Sequence, residues 1–499
     1  MQRDTEKLRE HLGEIADLEQ AGALLGWDQQ VNMPPGGAES RGRQLGTVGR
    51  LAHDRAISPE LGKLLEGLRR TLPSLDPDSD EARLIEVASR DFEKAVRVPS
   101  AFVEERAQVT TLAYEAWHEA RKESRFALFQ PHIEKVIDLL RRYVGFFPPA
   151  THPYDVLLDD FEPGMKTAEV SGIFGALRPK QVALIRRIAA AKQVDDSFLH
   201  QAFSERAQWD FGVEVITKFG YDWKRGRQDR SPHPFTQGFG VGDVRITTRV
   251  DPEFLGTALF GTMHEAGHAM YAQGHAPELE RGPLCDGASL AVHESQSRLW
   301  ENLVGRSRPF WQAFYPRLQE MFPQVRTVPL ETFYRGINKV QPSLIRVEAD
   351  EATYNLHIML RMEIEIALIE GSLAVRDLPA RWNQGMKDYL GVTPPDDANG
   401  VLQDVHWSTA GMGYFPTYAL GNLVSAQLWE RIQQDLPDIE RQVSEARFEP
   451  LLAWLHTNIH RHGRKLRPQE LVKRVTGTTI DAGPYVRYLS KKFGEIYGL

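Results

Sequence analysis

The chain has almost no cysteine, with Cys285 the single one among 499 residues. An intramolecular disulfide is therefore impossible, and a zinc site built from several thiolates is excluded. No stretch approaches the roughly 18 consecutive apolar residues that a membrane-spanning helix needs. Positive charge is not in excess either: 60 Lys and Arg stand against 68 Asp and Glu, a formal net charge of −8. A nucleic-acid binder concentrates basic residues on at least one domain to neutralise phosphates, so nucleic acid is not the expected partner. No low-complexity tract or internal repeat suggests a scaffold array. Met1-Gln2-Arg3-Asp4-Thr5-Glu6 carries charges of both signs with no apolar stretch behind it, so no signal peptide is expected. The remainder is an ordinary balance, 41% hydrophobic and 26% charged, in a length able to bury a large core. A cytoplasmic enzyme fits these absences.

Helical periodicity dominates what is present. Leu8, Leu12, Ile15 and Leu18 recur every three or four residues, the spacing of one helix face. Leu356, Leu360, Ile364 and Leu368 recur every four and lead to Gly371, a suitable C-terminal stop. Similar patterns fill residues 81–145 and 167–218, and proline-rich breaks fall near 72–80, 146–164 and 393–400. One region differs. From about Phe219 to Asp251, Gly and Pro are frequent, and Val244-Arg245-Ile246-Thr247-Thr248-Arg249-Val250 alternates apolar and polar side chains as a half-buried strand does. The expected fold is mainly α, with a small antiparallel β-sheet at about 230–251 beside a long cleft. No linker is long enough to separate independent units, so residues 1–499 are read as one helical domain.

Directly after that strand, Asp251-Pro252 suits a helix start and Gly274 a helix stop. The helix predicted between them carries His264-Glu265-Ala266-Gly267-His268. Side chains four apart on a helix differ by about 40° around the axis, so both imidazoles project from one face. Two such imidazoles make half of a tetrahedral zinc shell. Glu265, one residue on, lies beside such a metal without ligating it, placed to act on a water there. Chance puts about 0.04 copies of H-E-x-x-H in a chain with 16 His, so an accidental pair is the weaker explanation. Leu255, Leu259, Ala266 and Met270 mark the core-facing side of the same helix. A third ligand is needed, and the residues after His268 lack the downstream Gly and His of the metzincin pattern. Glu294, in His293-Glu294-Ser295-Gln296-Ser297, comes 26 residues after His268 and is the next candidate, with His293 as the alternative. It falls on a second helix with Ser289 as N-cap and Gly305 as stop. A shell of two histidines and one glutamate, with one position open to water, follows.

With these segments in hand, the chain resembles the carboxypeptidase Taq family of metallocarboxypeptidases. Beside the two metal segments it carries His233-Pro234-Phe235 and Asp243-Val244-Arg245-Ile246-Thr247, the latter fitting the family's D-x-R-x-T. Ile345-Arg346-Val347-Glu348-Ala349-Asp350 fits I-R-x-x-A-D, and Gly400-Val401-Leu402-Gln403-Asp404-Val405-His406-Trp407 fits G-x-x-Q-D-x-H-W. Six motifs lie in the family's order over residues 233–407. The resemblance implies a mostly helical fold similar to neurolysin and angiotensin-converting enzyme, with two lobes flanking a long substrate groove. It also implies a cytoplasmic homodimer with one divalent metal per subunit, zinc or cobalt, that removes C-terminal residues from peptides.

The chemistry of amide hydrolysis explains why these residue types suit. Glu265 is the expected general base, taking a proton from the attacking water and delivering it to the leaving amine. The tetrahedral oxyanion needs a hydrogen-bond donor beyond the metal, and His406 with Tyr414 is the expected source. Core packing is the other reading of Tyr414 and Tyr418. An exopeptidase must also recognise the terminal carboxylate, which an arginine fork binds through both oxygens. Arg346 is the candidate, with an i,i+4 pair to Asp350 as its alternative. Asp350 is expected to hold a ligating imidazole in the correct tautomer. Gln403 and Asp404 are expected to support His406 or to cap a turn after Pro394-Pro395-Asp396-Asp397. Arg245 and His233 flank the sheet, and the resemblance suggests that their segment contacts substrate and closes one end of the groove. The expected substrates are peptides with a free C-terminus. A helical zinc oligopeptidase or dipeptidyl peptidase with the same shell is the nearest rival reading. A non-enzymatic helical binding module is the rival of a different class, against which the intact Glu265 weighs.

Overall fold

The computed structural model describes residues 2–499. The N-terminal apolar spacing forms a helix, α1 (Gln2–Val31), which folds back onto α2 (Ala38–Ala56). Leu8, Leu12 and Ile15 are buried against Leu61, Leu65 and Leu68, and against Leu84 and Ile85 of α3 (Asp80–Arg97). Each such leucine contributes about 1.5–3 kcal/mol by leaving water. This small core is distinct from the main one, which runs from Phe102 to Tyr497. Ala276, Leu279 and Leu284 join it to the body, and Asp17 pairs with Arg281 at 2.6 Å across the same junction.

The middle of the chain builds the floor of the site. After a short helix, α4 (Tyr154–Asp159), and a long helix over Thr167–Ala190 comes α5 (Glu205–Phe219), which ends at Gly220 with φ 105°, a left-handed cap that favours glycine. The β-region then forms three strands, β1 (Gln228–Arg230), β2 (Thr236–Gly238) and β3 (Val244–Thr248), in the order β1-β3-β2. β2 and β3 make the expected antiparallel pair, with Gln237 opposite Arg245. β1, however, runs parallel to β3, with Gln228 opposite Ile246, so the sheet is mixed and not wholly antiparallel. The five residues between β1 and β2 include Pro232 and Pro234, which lack N–H donors and oppose a tight hairpin. The chain therefore passes the end of β3 and pairs on its other edge. β2 is left as an edge strand.

The metal-motif helix, α6 (Gly256–Gln273), starts later than Asp251-Pro252 suggests. Asp251 accepts from the Glu253 N–H in a local turn, while Pro252 O and Leu255 N bond the backbone of Phe203 and Leu199. Tertiary hydrogen bonds thus claim the residues that a first turn would use. Leu255, Leu259, Ala266 and Met270 are buried as expected. The next helix, α7 (Leu290–Arg298), begins at Ser289, whose hydroxyl accepts from Val292 N, and continues through wide π-type turns, Leu299–Val304, to Gly305. Such turns concentrate at functional sites. Further on, α8 (Tyr354–Glu370) buries Leu356, Leu360, Ile364 and Leu368 and stops at Gly371, φ 85°. It packs beside α9 (Pro416–Asp435).

Two glycines set the spacing of this layer. A Cβ on Gly267 would lie 2.7 Å from Gln296 O and from Ser297 Cα, both backbone atoms of α7. A Cβ on Gly421 of α9 would lie 2.6 Å from Glu294 Cβ and Cγ. α7 is thus clasped between α6 and α9 at closer range than side chains permit. Among the described residues, no helix is long and apolar enough to cross a membrane.

Candidate metal centre

His264 and His268 project from one face of α6, and Glu294 reaches them from α7. Glu294 Oε2 lies 3.6 Å from His264 Nε2 and 3.4 Å from His268 Nε2, and the three ligand atoms fall within 4.8 Å of one another. A tetrahedral cation with ligand bonds of about 2.1 Å separates its ligand atoms by about 3.4 Å, so the three groups fit one. Each imidazole is oriented through its far nitrogen. His264 Nδ1 lies 2.9 Å from Glu301 Oε2, and His268 Nδ1 lies 2.6 Å from His293 Nδ1. With both Nε2 lone pairs turned to the centre, the Nδ1 protons point outward, and His293 accepts at Nδ1. His293 suits this as a neutral ring, because burial first and then the neighbouring His268 and His275 push its pKa well down.

The glutamate is held as firmly. Arg298 Nε donates to Glu294 Oε1 at 2.7 Å, and Arg298 Nη1 donates to Glu301 Oε2 at 2.9 Å. One buried guanidinium therefore fixes both the Glu294 carboxylate and the carboxylate that orients His264. Burial pushes the Glu294 carboxyl up, but Arg298 and the two imidazoles outweigh it and hold it well below the usual range. Glu301 is likewise drawn down to about 2, with burial opposed by Arg298 and His264. Both are anions at neutral pH.

Glu265 is nearly buried and sits beside this centre. Thr236 Oγ1, on edge strand β2, lies 2.7 Å from Glu265 Oε2 and 3.0 Å from the Glu265 carbonyl. The sheet therefore carries a partner for the proposed base, which the sequence did not single out. β2 also borders a cavity of about 880 Å³ that reaches His293 and is walled by α1, α2, α3 and the segment 275–286.

A polar wall from the segment after Gly400 connects to this centre through Arg346, which bonds Tyr354, whose ring lies 4.7 Å from the Arg298 guanidinium. His406 Nε2 is 3.3 Å from Tyr418 Oη, and Tyr418 is hydrogen-bonded to Tyr414. Burial lowers the His406 pKa to about 4, so the ring is neutral. Both tyrosine hydroxyls are kept protonated, chiefly by burial.

Arg346 is buried at the same wall. Nε and Nη2 donate to Asp404 Oδ1 at 3.0 and 2.8 Å, and Nη1 donates to Tyr354 Oη at 2.9 Å, which leaves two of its five N–H groups without a protein partner. Asp404 Oδ2 accepts from Arg361 Nε at 2.7 Å. Two guanidiniums thus share one carboxylate, and the trio keeps a net positive charge. Gln403 Oε1 accepts from the Arg346 backbone N–H and from Arg361 Nη2, both at 2.8 Å. Gln403 and Asp404 therefore brace Arg346, not His406. Arg361 lies 43 residues before Asp404, too distant for a local pattern to reveal the pairing.

Asp350 also departs from expectation. Its carboxylate accepts from the N–H groups of Gln341, Ala352 and Thr353 and from the Thr353 hydroxyl, capping the turn before α8. Both outward imidazole nitrogens already belong to Glu301 and His293, so Asp350 orients neither. An i,i+4 pair with Arg346 is absent because residues Arg346–Glu348 form a 3₁₀ turn, not an α-helix. Arg245 is bound through two hydrogen bonds to Asp243 and lies 4.9 Å from the Phe239 ring and 5.9 Å from Trp27 of α1. It ties the N-terminal hairpin to the sheet. His233 is exposed. Thr236, Arg298, Glu301, Tyr354 and Arg361 are the site residues that sequence reasoning missed. Only Arg298 and Glu301 had a signal, their four- and seven-residue spacing from Glu294 along one helix face.

Comparison with known proteins places the whole chain among metallopeptidases. The family model for carboxypeptidase Taq (M32) metallopeptidases matches residues 7–493. The chain is 42% identical over 503 aligned residues to thermostable carboxypeptidase 1 of Thermus thermophilus, covering 99% of each. It is 38% identical to carboxypeptidase 1 of Bacillus subtilis, covering 97% of each. The crystal structure of an M32 carboxypeptidase from Deinococcus radiodurans superposes with a TM-score of 0.97 at 43% identity over 100% of both chains.

Proposed function

Because the chain belongs to the carboxypeptidase Taq (M32) family and is a metallocarboxypeptidase, we propose that His264, His268 and Glu294 hold its divalent metal, zinc or cobalt, and that Glu265 is its general base. The observation that carries this is the meeting of two Nε2 atoms and one carboxylate oxygen at tetrahedral spacing, with Glu265 alongside. A cation there supplies Lewis acidity and makes water nucleophilic at neutral pH. Mixed nitrogen and oxygen donors suit zinc or cobalt better than magnesium or calcium.

Thr236 steers the Glu265 carboxylate, which takes the proton of the attacking water and returns it to the departing amine. Tyr414 and His406 donate to the developing oxyanion from the polar wall, where donors fixed in place need no reorganisation. The free edge of β2 offers backbone groups to an extended peptide. Arg346 receives the terminal carboxylate with its two unpaired N–H groups, and the net charge of the Arg346–Asp404–Arg361 trio supplies the attraction. Arg245 and His233 bound the groove at the sheet. The chain acts as a homodimer in the cytoplasm, a reading supported by the family resemblance.

A mass-spectrometric digest of one peptide as free acid and as C-terminal amide tests the exopeptidase assignment. The free acid is expected to shorten from its C-terminus while the amide stays intact. Internal cleavage of the amide overturns the assignment in favour of an oligopeptidase. Arg346→Met is expected to lower kcat/KM on the free acid about 100-fold, about 2.7 kcal/mol of transition-state stabilisation. Asp404 keeps only Arg361 in that variant, so the melting temperature should fall as well, and kcat/KM is compared per folded molecule.

A further inference from the structure

Glu365 lies in the middle of α8 with no exposed surface. Its Oε1 accepts from Trp407 Nε1 at 2.8 Å, and its Oε2 accepts from Tyr154 Oη at 2.6 Å and from the Gly413 N–H at 3.0 Å. Trp407 directly follows His406, and Gly413 directly precedes Tyr414. One carboxylate therefore grips both ends of the segment that carries the two oxyanion donors. α4 closes the grip from the far side: it contributes Tyr154, and a Cβ on Gly413 (φ 96°) would fall 2.6 Å from the Leu157 carbonyl oxygen. Burial pushes the Glu365 carboxyl up to about 7, opposed by its three donors. A buried ion of this kind is costly, and apolar residues of similar volume often hold a core together as well or better.

We propose that Glu365 is a positioning residue for amide hydrolysis, setting the distance of His406 and Tyr414 from the reacting carbonyl by tethering Trp407 and Gly413. This rests on the assignment of those two residues to the oxyanion. Displacement of such donors by less than an ångström weakens them where charge develops and leaves ground-state binding nearly untouched.

The test compares Glu365→Gln with wild type at pH 8, where the acid is ionised, on the metal-loaded enzyme. Glutamine has one acceptor oxygen, so its amide N–H must face either Trp407 Nε1–H or the Gly413 N–H. The expected result is a fall in kcat of about 30-fold, with KM within about threefold and metal content unchanged. Trp407→Phe removes one tether while keeping a ring between Trp382 and Phe415, and alone should lower kcat about fivefold. In that background the glutamine can turn its amide toward the vacated place, and Glu365→Gln should then cost about threefold or less. A role in stability alone would lower the melting temperature and leave kcat per folded, metal-loaded molecule unchanged in both single variants, which overturns the proposal. His406→Ala and Tyr414→Phe are measured in parallel. Unchanged kcat in those two defeats the oxyanion assignment itself; a fall there with none in Glu365→Gln or Trp407→Phe defeats only the proposal for Glu365.

Discussion

Glu265→Gln is expected to reduce kcat about 10³-fold or more while the protein retains its full complement of metal. Proton transfer by a positioned side chain accounts for roughly 10²–10⁴ of rate, and glutamine matches glutamate in shape while being unable to accept that proton. The packing is preserved, because a glutamine carbonyl can still accept from Thr236 Oγ1. Elemental analysis of the purified variant, with single-turnover kinetics, separates the two parts of the prediction. Loss of metal with loss of rate would make Glu265 a ligand, and turnover within tenfold of wild type would place the base elsewhere.

Glu294→Ala should have the second large effect, and on two quantities at once. The metal goes, because two imidazoles alone form an incomplete shell, and hydrolysis goes with it. Stability also falls by about 3 kcal/mol, the scale for breaking a buried ion pair from one side, since Arg298 keeps only Glu301 as a partner. Chelator competition reads the first loss and a melting curve of the metal-free proteins reads the second. Stoichiometric metal and activity within tenfold in this variant would shift the third ligand to another group, with His293 nearest to hand.

How far the sequence foretold the site can be argued residue by residue. His264, Glu265 and His268 were legible because their geometry is local: helix pitch alone puts both rings on one face. Glu294 was legible only as the next acid on a plausible helix. Glu301 and Arg298 share that face, yet polar residues on a helix ordinarily face water, and nothing in the spacing said that this face turns inward. Thr236 meets Glu265 across 29 residues and Asp404 meets Arg361 across 43, contacts written only in the packing. Asp350 misled because an acid singled out by its charge and its motif served a turn in space. The strand at 244–248 was visible in its alternation, but the direction of β1 depended on which edge of β3 remained free. The late start of α6 has a similar origin, in backbone partners 50 or so residues away.

Gly267 and Gly421 carry a consequence for the geometry of the centre. In most helices an interior glycine exchanged for alanine strengthens the helix by up to about 1 kcal/mol, a gain that the contacts at these two places forbid. What the chain keeps in return is the bite of a chelate. The separation of Glu294 from the paired imidazoles is set by how near α7 can lie to α6 and α9, and two absent methyl groups hold that distance.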